Sequence, residues 1–353
     1  MSVTFSFSRQ LAWARWLACV GLSVLALLSA GASPARAETG QDYATQAGAR
    51  LLGSVAPPLK LTTMDGQTID LAALRGRKAV YLKFWATWCS PCREQMPHFE
   101  KAQRTAGDDL EVIAINIGFD DTPEQIDAYR RELGLTMPIV RDDDGRVGAL
   151  FGLRVTPQHV IIGKDGRIQY VGHLADARLD AALASARRST VPVATTLSEQ
   201  SAATPKAVGA GDIVPSTKVK TLDGDEIPLR DPTGKRRTVL AFLSPWCEGY
   251  FEKTRPQSSR QCRALREQLA ALGRDRGARW VGIASGLWAS EKDLRDYRDE
   301  HHIQVPMALD RDGALFRRFD VHRVPTVIVV ERDGRIAGPT SPSPEDMGNE
   351  MSP

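Results

Sequence analysis

Cys89 and Cys92 stand two residues apart, as Cys89-Ser90-Pro91-Cys92, directly after the apolar run Ala79 to Trp85. A dithiol at that spacing fits the first turn of a helix, with one sulfur near solvent and the other shielded beneath it. Unpaired backbone N–H groups and the helix dipole stabilise a thiolate there, which lowers the pKa of the first cysteine. Pro91 suits an early helical position because its missing N–H has no partner to lose. The chemistry is thiol–disulfide exchange: Cys89 attacks a disulfide, and Cys92 then attacks Cys89 to release reduced product. Two other uses of the pair are weaker. A zinc site needs four ligands, and no second CxxC or spaced histidine pair accompanies these cysteines. A permanent disulfide closing so short a loop constrains little of the unfolded chain.

The thiols need a strand to deliver them and a helix to hold them. Ala79 to Trp85 reads as a buried strand, Pro91 to about Thr105 as a helix, Leu110 to Ile117 as a strand and Thr122 to Leu133 as a second helix. A short extended piece follows at Met137 to Val140. Gln158 to Ile162 and Arg167 to Val171 then flank Asp165-Gly166, a strong hairpin signal. Ala175 to Arg188 reads as a closing helix. Strands alternating with helices and ending in a hairpin predict an α/β fold, a mixed sheet flanked by helices on both faces.

The chain then repeats itself. Thr63-Met64-Asp65-Gly66, Phe84 and Trp88-Cys89 recur as Thr221-Leu222-Asp223-Gly224, Phe242 and Trp246-Cys247, displaced by 158 residues. Asp144-Gly145, Phe151, Pro157 and Asp165-Gly166-Arg167-Ile168 recur as Asp312-Gly313, Phe319, Pro325 and Asp333-Gly334-Arg335-Ile336, displaced by 168. Two tandem domains of one fold account for this. The division is a leader over 1–37, a lead-in over 38–52, a first domain over 53–188, a linker over 189–212, a second domain over 213–337 and a polar tail over 338–353. The tail is too polar and proline-rich to supply the second domain's closing helix, which is expected to be missing.

Phe84-Trp85-Ala86-Thr87-Trp88-Cys89-Ser90-Pro91-Cys92-Arg93-Glu94-Gln95-Met96-Pro97 resembles the active-site signature of the TlpA/ResA group of thioredoxin-like redoxins, and the likeness extends over roughly residues 53–188. The resemblance implies an exported thiol–disulfide oxidoreductase of thioredoxin-like fold, and with the repeat the expectation is two tandem thioredoxin-like domains; no cofactor and no metal is expected. It also implies a helix–strand insert, which Thr122 to Val140 matches. A cis proline faces the dithiol in that group, and Thr156-Pro157 falls at its place; such a bond exposes a backbone edge to a substrate strand. Trp88 and Pro91 support the site by the same likeness. The implied partners are disulfide-containing exported proteins and a membrane thiol-reducing protein that recharges the pair. Lys83 departs from thioredoxin itself, which has a buried acid six residues before its first cysteine. A cation near the pair favours thiolate; the alternative turns the ammonium to solvent at a strand edge. Glu94 is a further proton-relay candidate, a solvated helix face being its simpler role. His98, His159 and His173 form no recognisable spacing and are expected at the surface or behind the site.

In the second domain Trp246-Cys247 resembles the first site, yet Cys262 follows after fourteen intervening residues and not two. The extra residues read as a loop before a helix that begins near Pro256 or Gln257. Cys247 and Cys262 are a candidate pair, structural or redox-active, with Val324-Pro325 as the equivalent of Thr156-Pro157. Ser244-x-x-Cys247 partly matches a peroxiredoxin pattern, but Leu240 occupies its proline place. A copper partner would need a third ligand, for which His322 is the candidate.

The first 37 residues carry Arg9, Arg15 and Arg36, no acidic residue and a largely apolar stretch from Leu17 to Ala30. With Ala35-Arg36-Ala37 behind it, this reads as a secretory signal peptide, too short in its apolar core for the ~20 residues of a spanning helix; an uncleaved membrane anchor is the alternative. The expected compartment is a bacterial periplasm. Loss of the three arginines takes the formal charge of +3 to about zero, which points to no nucleic-acid partner. Cys19 leaves with the leader, and the remaining four cysteines suit two disulfides in an oxidising compartment.

Overall fold

The computed structural model describes residues 39–190, 207–272, 278–287 and 289–337. The leader and the polar tail lie outside the described residues, and with them the signal peptide and the question of a closing helix. Among the described residues no helix is long and apolar enough to cross a membrane.

In chain order the first domain comprises α1 (Gly40–Leu51), β1 (Lys60–Thr62), β2 (Thr68–Asp70), α2 (Leu71–Leu74), β3 (Ala79–Trp85), α3 (Ser90–Glu94) and α4 (Met96–Arg104). It continues through β4 (Leu110–Asn116), α5 (Pro123–Leu133), β5 (Ile139–Arg141), α6 (Arg146–Leu150), β6 (Gln158–Ile162), β7 (Ile168–Gly172) and α7 (Ala177–Arg188). The five-stranded sheet has the order β5-β4-β3-β6-β7. β3, β4 and β5 are parallel, and β6 runs antiparallel to both β3 and β7. All seven residues of the central β3 are buried, as a strand covered on both faces must be. Lys83 is therefore interior, and the strand-edge alternative is overturned: β3 has a hydrogen-bonded neighbour on each side.

Two elements differ from the sequence reading. The lead-in is the helix α1, whose Ala44, Ala47 and Gly48 are buried; the absent Gly48 side chain lets the helix backbone lie against Val171 of β7. The helix expected from Pro91 to Thr105 is two helices. Pro97 lies in the first turn of α4 and has no N–H to offer the carbonyl of Arg93, so the ladder breaks at Gln95.

The second domain repeats the order with β8 (Lys218–Lys220), β9 (Glu226–Pro228), β10 (Arg237–Leu243), α8 (Cys247–Phe251), α9 (Pro256–Ala271), β11 (Ala278–Ser285), α10 (Glu291–Glu300), β12 (Met307–Asp310), α11 (Ala314–Arg318) and β13 (Thr326–Val330). Its sheet has four strands, β12-β11-β10-β13. Where the first domain has β7, Arg335 and Ile336 make only isolated bridges to Ile213 and Val330. The segment after Cys247, expected as loop, holds α8. Residues 208 and 211, assigned to the linker, already bond to the second domain through Val208 N to Arg318 O at 2.8 Å and Gly211 N to Ile336 O at 2.9 Å.

The repeated motifs make the same local structure twice. Gly66 and Gly224 both take the left-handed conformation, at φ 79° and 92°, that closes the β1–β2 and β8–β9 turns. Asp142 accepts from the N–H groups of Val147 and Gly148 at 2.9 and 2.7 Å, and Asp310 from those of Leu315 and Phe316 at 2.9 Å each. These carboxylates cap α6 and α11 from the ends of β5 and β12. Burial pushes both carboxyls up, Asp310 to about 6, so the caps persist against a desolvation cost. Asp142→Ala orphans two backbone donors and should lower the urea-unfolding free energy by about 2 kcal/mol, whereas Asp142→Asn retains an acceptor and should cost less than half of that. Equal losses in the two variants would refute this capping role.

Candidate functional site

β3 runs through the centre of the sheet and ends at Trp85, and Ala86-Thr87-Trp88 turns the chain into α3. Cys89 is the residue before that helix; its N–H reaches Ala86 O, and its Sγ accepts from Cys92 N at 3.2 Å. Cys89 and Cys92 form a disulfide of 2.04 Å with Cα atoms 5.2 Å apart. Pro91 lies in the first turn of α3, where its missing N–H costs nothing. Glu94 is exposed on the same short helix, in its simpler role.

One expectation about the thiols needs correction. Neither sulfur is near solvent: Cys89 and Cys92 are both 0% exposed. The residue before Cys89 is covered as well. Trp88, 3% exposed, donates from Nε1 to Phe119 O at 2.7 Å and meets Tyr250 and Phe251 edge-to-face, at 5.7 and 5.2 Å between centroids. Both of those rings belong to α8 of the second domain.

Beneath the dithiol, Lys83 Nζ donates to Cys92 O at 3.3 Å, approaches Met96 Sδ at 3.7 Å and sits 5.3 Å from the Phe99 ring centre. Burial lowers its pKa to about 7. Opposite it in register on β6 is His159, which is fully buried and so not a surface group. His159 bonds Tyr81 Oη through Nδ1 and Gln95 Oε1 through Nε2, each at 2.8 Å. Burial first, and the neighbouring Lys83 second, hold His159 well below its ordinary pKa. Gln95 Nε2 continues to His173 O, and His173 Nδ1 lies 2.7 Å from Pro157 O. A hydrogen-bond chain thus runs from Tyr81 through the α3–α4 break to the proline loop. His98 stands apart from it, paired with Asp180 at 2.8 Å. Thr156–Pro157 is cis, and the buried Thr156 hydroxyl has no partner among the described residues.

The sequence reading missed the group that fixes the turn. Asp121, its side chain fully buried, accepts from Thr87 N at 2.8 Å, from Thr87 Oγ1, and from Asn116 Nδ2 at 2.7 Å. Arg255 of the second domain adds a bond to Asp121 Oδ1 at 3.1 Å and another to Thr87 Oγ1 at 2.7 Å. In the sequence Asp121 stands before Thr122, where it looks like part of a helix start; only the long-range partners distinguish it.

In the second domain Cys247 and Cys262 are bonded at 2.03 Å with Cα atoms 6.2 Å apart. Cys247 opens α8, but Cys262 lies within α9 and faces Val324 O at 3.9 Å, beside the cis Val324–Pro325 bond. Trp246, unlike Trp88, is 47% exposed. Leu240, at the missing proline of the peroxiredoxin pattern, is buried in β10, and His322 Nε2 lies 2.8 Å from Asp320 Oδ1.

A stretch of 131 residues is 35% identical to the thioredoxin-like protein YneN of Bacillus subtilis (strain 168), covering 36% of this chain and 76% of that protein. Another 131-residue match, 30% identical, is to the thiol-disulfide oxidoreductase ResA of Geobacillus thermodenitrificans (strain NG80-2), over 37% of this chain and 74% of that one. Among solved structures, a thiol:disulfide interchange protein of Chlorobium tepidum TLS is 25% identical, with a TM-score of 0.34 over 38% of this chain and 97% of its own. Together with the cysteine pair at the strand–helix junction, the named relatives define the class: the chain is a thioredoxin-like thiol–disulfide oxidoreductase. It belongs to the AhpC/TSA family, whose model matches residues 52–171 and 210–338, one match to each domain.

The Lys83 environment has a measurable consequence. Its folded pKa of about 7 lies below the ordinary 10.5, so between those values the folded chain binds fewer protons than the unfolded chain. Stability then rises with pH through that window. In the oxidised protein, the urea-unfolding free energy of wild type relative to Lys83→Met should rise by about 3 kcal/mol from pH 7 to pH 9.5. Parallel profiles for the two proteins would show that Lys83 keeps its ordinary pKa.

Proposed function

We propose that the chain is an exported disulfide reductase of the bacterial periplasm, working on disulfide-containing exported proteins through Cys89 and Cys92, with a membrane thiol-reducing protein restoring the dithiol. One observation carries this reading: Cys89 caps the first turn of α3 with Cys92 in bonding distance one turn on. In the reduced protein that place favours the Cys89 thiolate, because its sulfur faces the Cys92 N–H. The Cys89 thiolate attacks one sulfur of the substrate disulfide, and the other substrate sulfur leaves as thiolate. Cys92, losing its proton, then attacks Cys89 of the mixed disulfide; the second substrate thiolate leaves and the Cys89–Cys92 bond forms. Two electrons have passed from dithiol to substrate, and no cofactor or metal takes part.

Thr156, Pro157 and Trp88 border the approach to Cys89 by this reading, and the unpaired Thr156 hydroxyl is available to a bound strand. The second pair has a structural role, because Cys262 sits inside α9 and away from a first turn. The signature resemblance supports the reductase direction, and the named ResA relative supports thiol–disulfide exchange as the reaction class.

In insulin reduction under a chemical reductant, Cys89→Ser should abolish turnover. Cys92→Ser should retain the first attack and accumulate mixed disulfides, visible as protein adducts on non-reducing gels. The double variant Cys247→Ser/Cys262→Ser should keep at least about half of the wild-type rate, within the spread expected when chemistry is untouched. Adducts on Cys92 in place of Cys89 would exchange the two roles. Collapse of the double variant to background would make the second pair a relay, and rapid peroxide consumption would replace the reductase reading with a peroxidase.

A further inference from the structure

We propose that the face of the first domain formed by Thr87, Trp88, Asp120 and Asp121 is a docking site for a polypeptide that presents an aromatic ring and a guanidinium, and that the second domain occupies it, closing off Cys89. The proposal rests on the exchange reading above and supplies the substrate features that reading lacks. Four observations converge on it. Phe251 and Tyr250 set their rings edge-to-face against Trp88, the residue next to Cys89. Arg255 bonds Thr87 Oγ1 and Asp121 Oδ1, with its Nε 3.8 Å from Asp120 Oδ2. Ser258 Oγ donates to Asp120 Oδ2 at 3.2 Å, and Asp120 N donates to His322 O at 2.8 Å. Cys89 itself has no exposed surface.

Disulfide exchange requires the target sulfur to reach the attacking thiolate, so a sulfur with no accessible surface cannot react until something moves. The groups packed on Trp88 and on the carboxylates beside it come from one segment. Tyr250, Phe251 and Arg255 all lie between Cys247 and Cys262, in the segment that lengthens the second site relative to the first. The first domain lacks a counterpart of that segment, whereas the docked face uses four of its side chains, Ser258 included. Asp121 is wholly buried and Arg255 largely so, which makes the contact a paired charge in the interior and not a solvent-exposed ion pair. A substrate that displaces the second domain meets the same Trp88 edge and the same carboxylates. Ring and guanidinium are therefore the features that the open site selects.

The test uses the full-length reduced chain and follows alkylation of Cys89 by iodoacetamide and by a 5-kDa polyethylene glycol maleimide, with mass spectrometry locating the label. Arg255→Ala and Phe251→Ala should each raise the Cys89 rate about tenfold or more, with the larger gain for the larger reagent, and Arg255→Lys should fall between. Arg263→Ala, which removes an ion pair with Glu248 away from the contact, should change nothing. A peptide spanning residues 247–259 with Cys247 replaced by serine should slow alkylation of the Arg255→Ala chain, and the same peptide with Phe251 and Arg255 replaced by alanine should not. Hydrogen exchange supplies a readout free of substitution: the Asp120 amide, bonded across the contact, should be protected in wild type. Equal alkylation rates in all variants, no effect of the peptide, or an Asp120 amide exchanging like free loop would each overturn the proposal. Loss of insulin turnover with Cys89 freely alkylated would instead count against the reductase reading.

Discussion

The buried carboxylate of Asp121 is the constraint from which the rest of the site follows. An ionised carboxylate held out of water costs several kcal/mol unless its lone pairs are used. Here donors converge on it from the turn after β3, from β4 and from the second domain. Because Thr87 supplies both its N–H and its hydroxyl, the turn carrying Trp88 and Cys89 has one position relative to β4. Trp88 is then aimed at Phe119 O, and Cys89 begins α3 with its sulfur toward the Cys92 N–H. The same carboxylate is the anchor for Arg255. The geometry of the dithiol and the attachment of the second domain thus share one group, and changing either disturbs the other.

What could be read from the sequence was what short-range chemistry dictates. The CxxC pair after an apolar run, the Asp-Gly and Asp165-Gly166 turns, the Thr122 helix start and the two offsets of the repeat each depend on residues close in the chain. The structure places β3, β4, α5 and the β6–β7 hairpin within a residue or two of those readings. The α3–α4 break was also written locally, in Pro97, yet the sequence reading carried one helix through it. The rest depended on distant partners. Lys83 reads equally as an edge residue or a buried one until β6 and β4 are seen on either side of it. His159 shows no motif spacing because its partners, Tyr81 and Gln95, come from β3 and from the α3–α4 break. Asp121 and Arg255 lie 134 residues apart and carry no pairwise signal in one sequence.

The two domains share a framework and differ at their cysteines. Both domains keep the turn glycines, the Asp142 and Asp310 caps and a cis proline directly before β6 or β13. They differ where chemistry would occur. In the first domain both cysteines belong to one helical turn, and a single N–H links them. In the second, α8 and the segment up to Pro256 intervene, so Cys247 opens one helix and Cys262 sits inside the next. A thiolate at Cys262 would lack the unpaired N–H groups that a first turn provides, since its own N–H is engaged within α9. The insertion places the two cysteines of the second pair in different helices and, by the same residues, creates the surface that meets Trp88. Both cysteine pairs consequently belong to one continuous apolar core.

The interior beneath the dithiol sets how protons are held there. Lys83 forms no ion pair among the described residues; its ammonium has a carbonyl, a thioether and an aromatic ring as neighbours. Such surroundings stabilise a cation far less than water does, and burial brings the pKa down to about 7. His159, adjacent in register, is pushed further down by burial and by Lys83, so the two bases do not hold a proton together. Near neutral pH the pocket therefore alternates between one proton, on Lys83, and none. A protonated Lys83, one hydrogen bond from the Cys92 carbonyl, would place a positive charge beneath α3, which favours a thiolate on that turn; the neutral amine would leave that help to the Cys92 N–H alone. Burial, the first cause of the lowered pKa, sets the balance between the two forms.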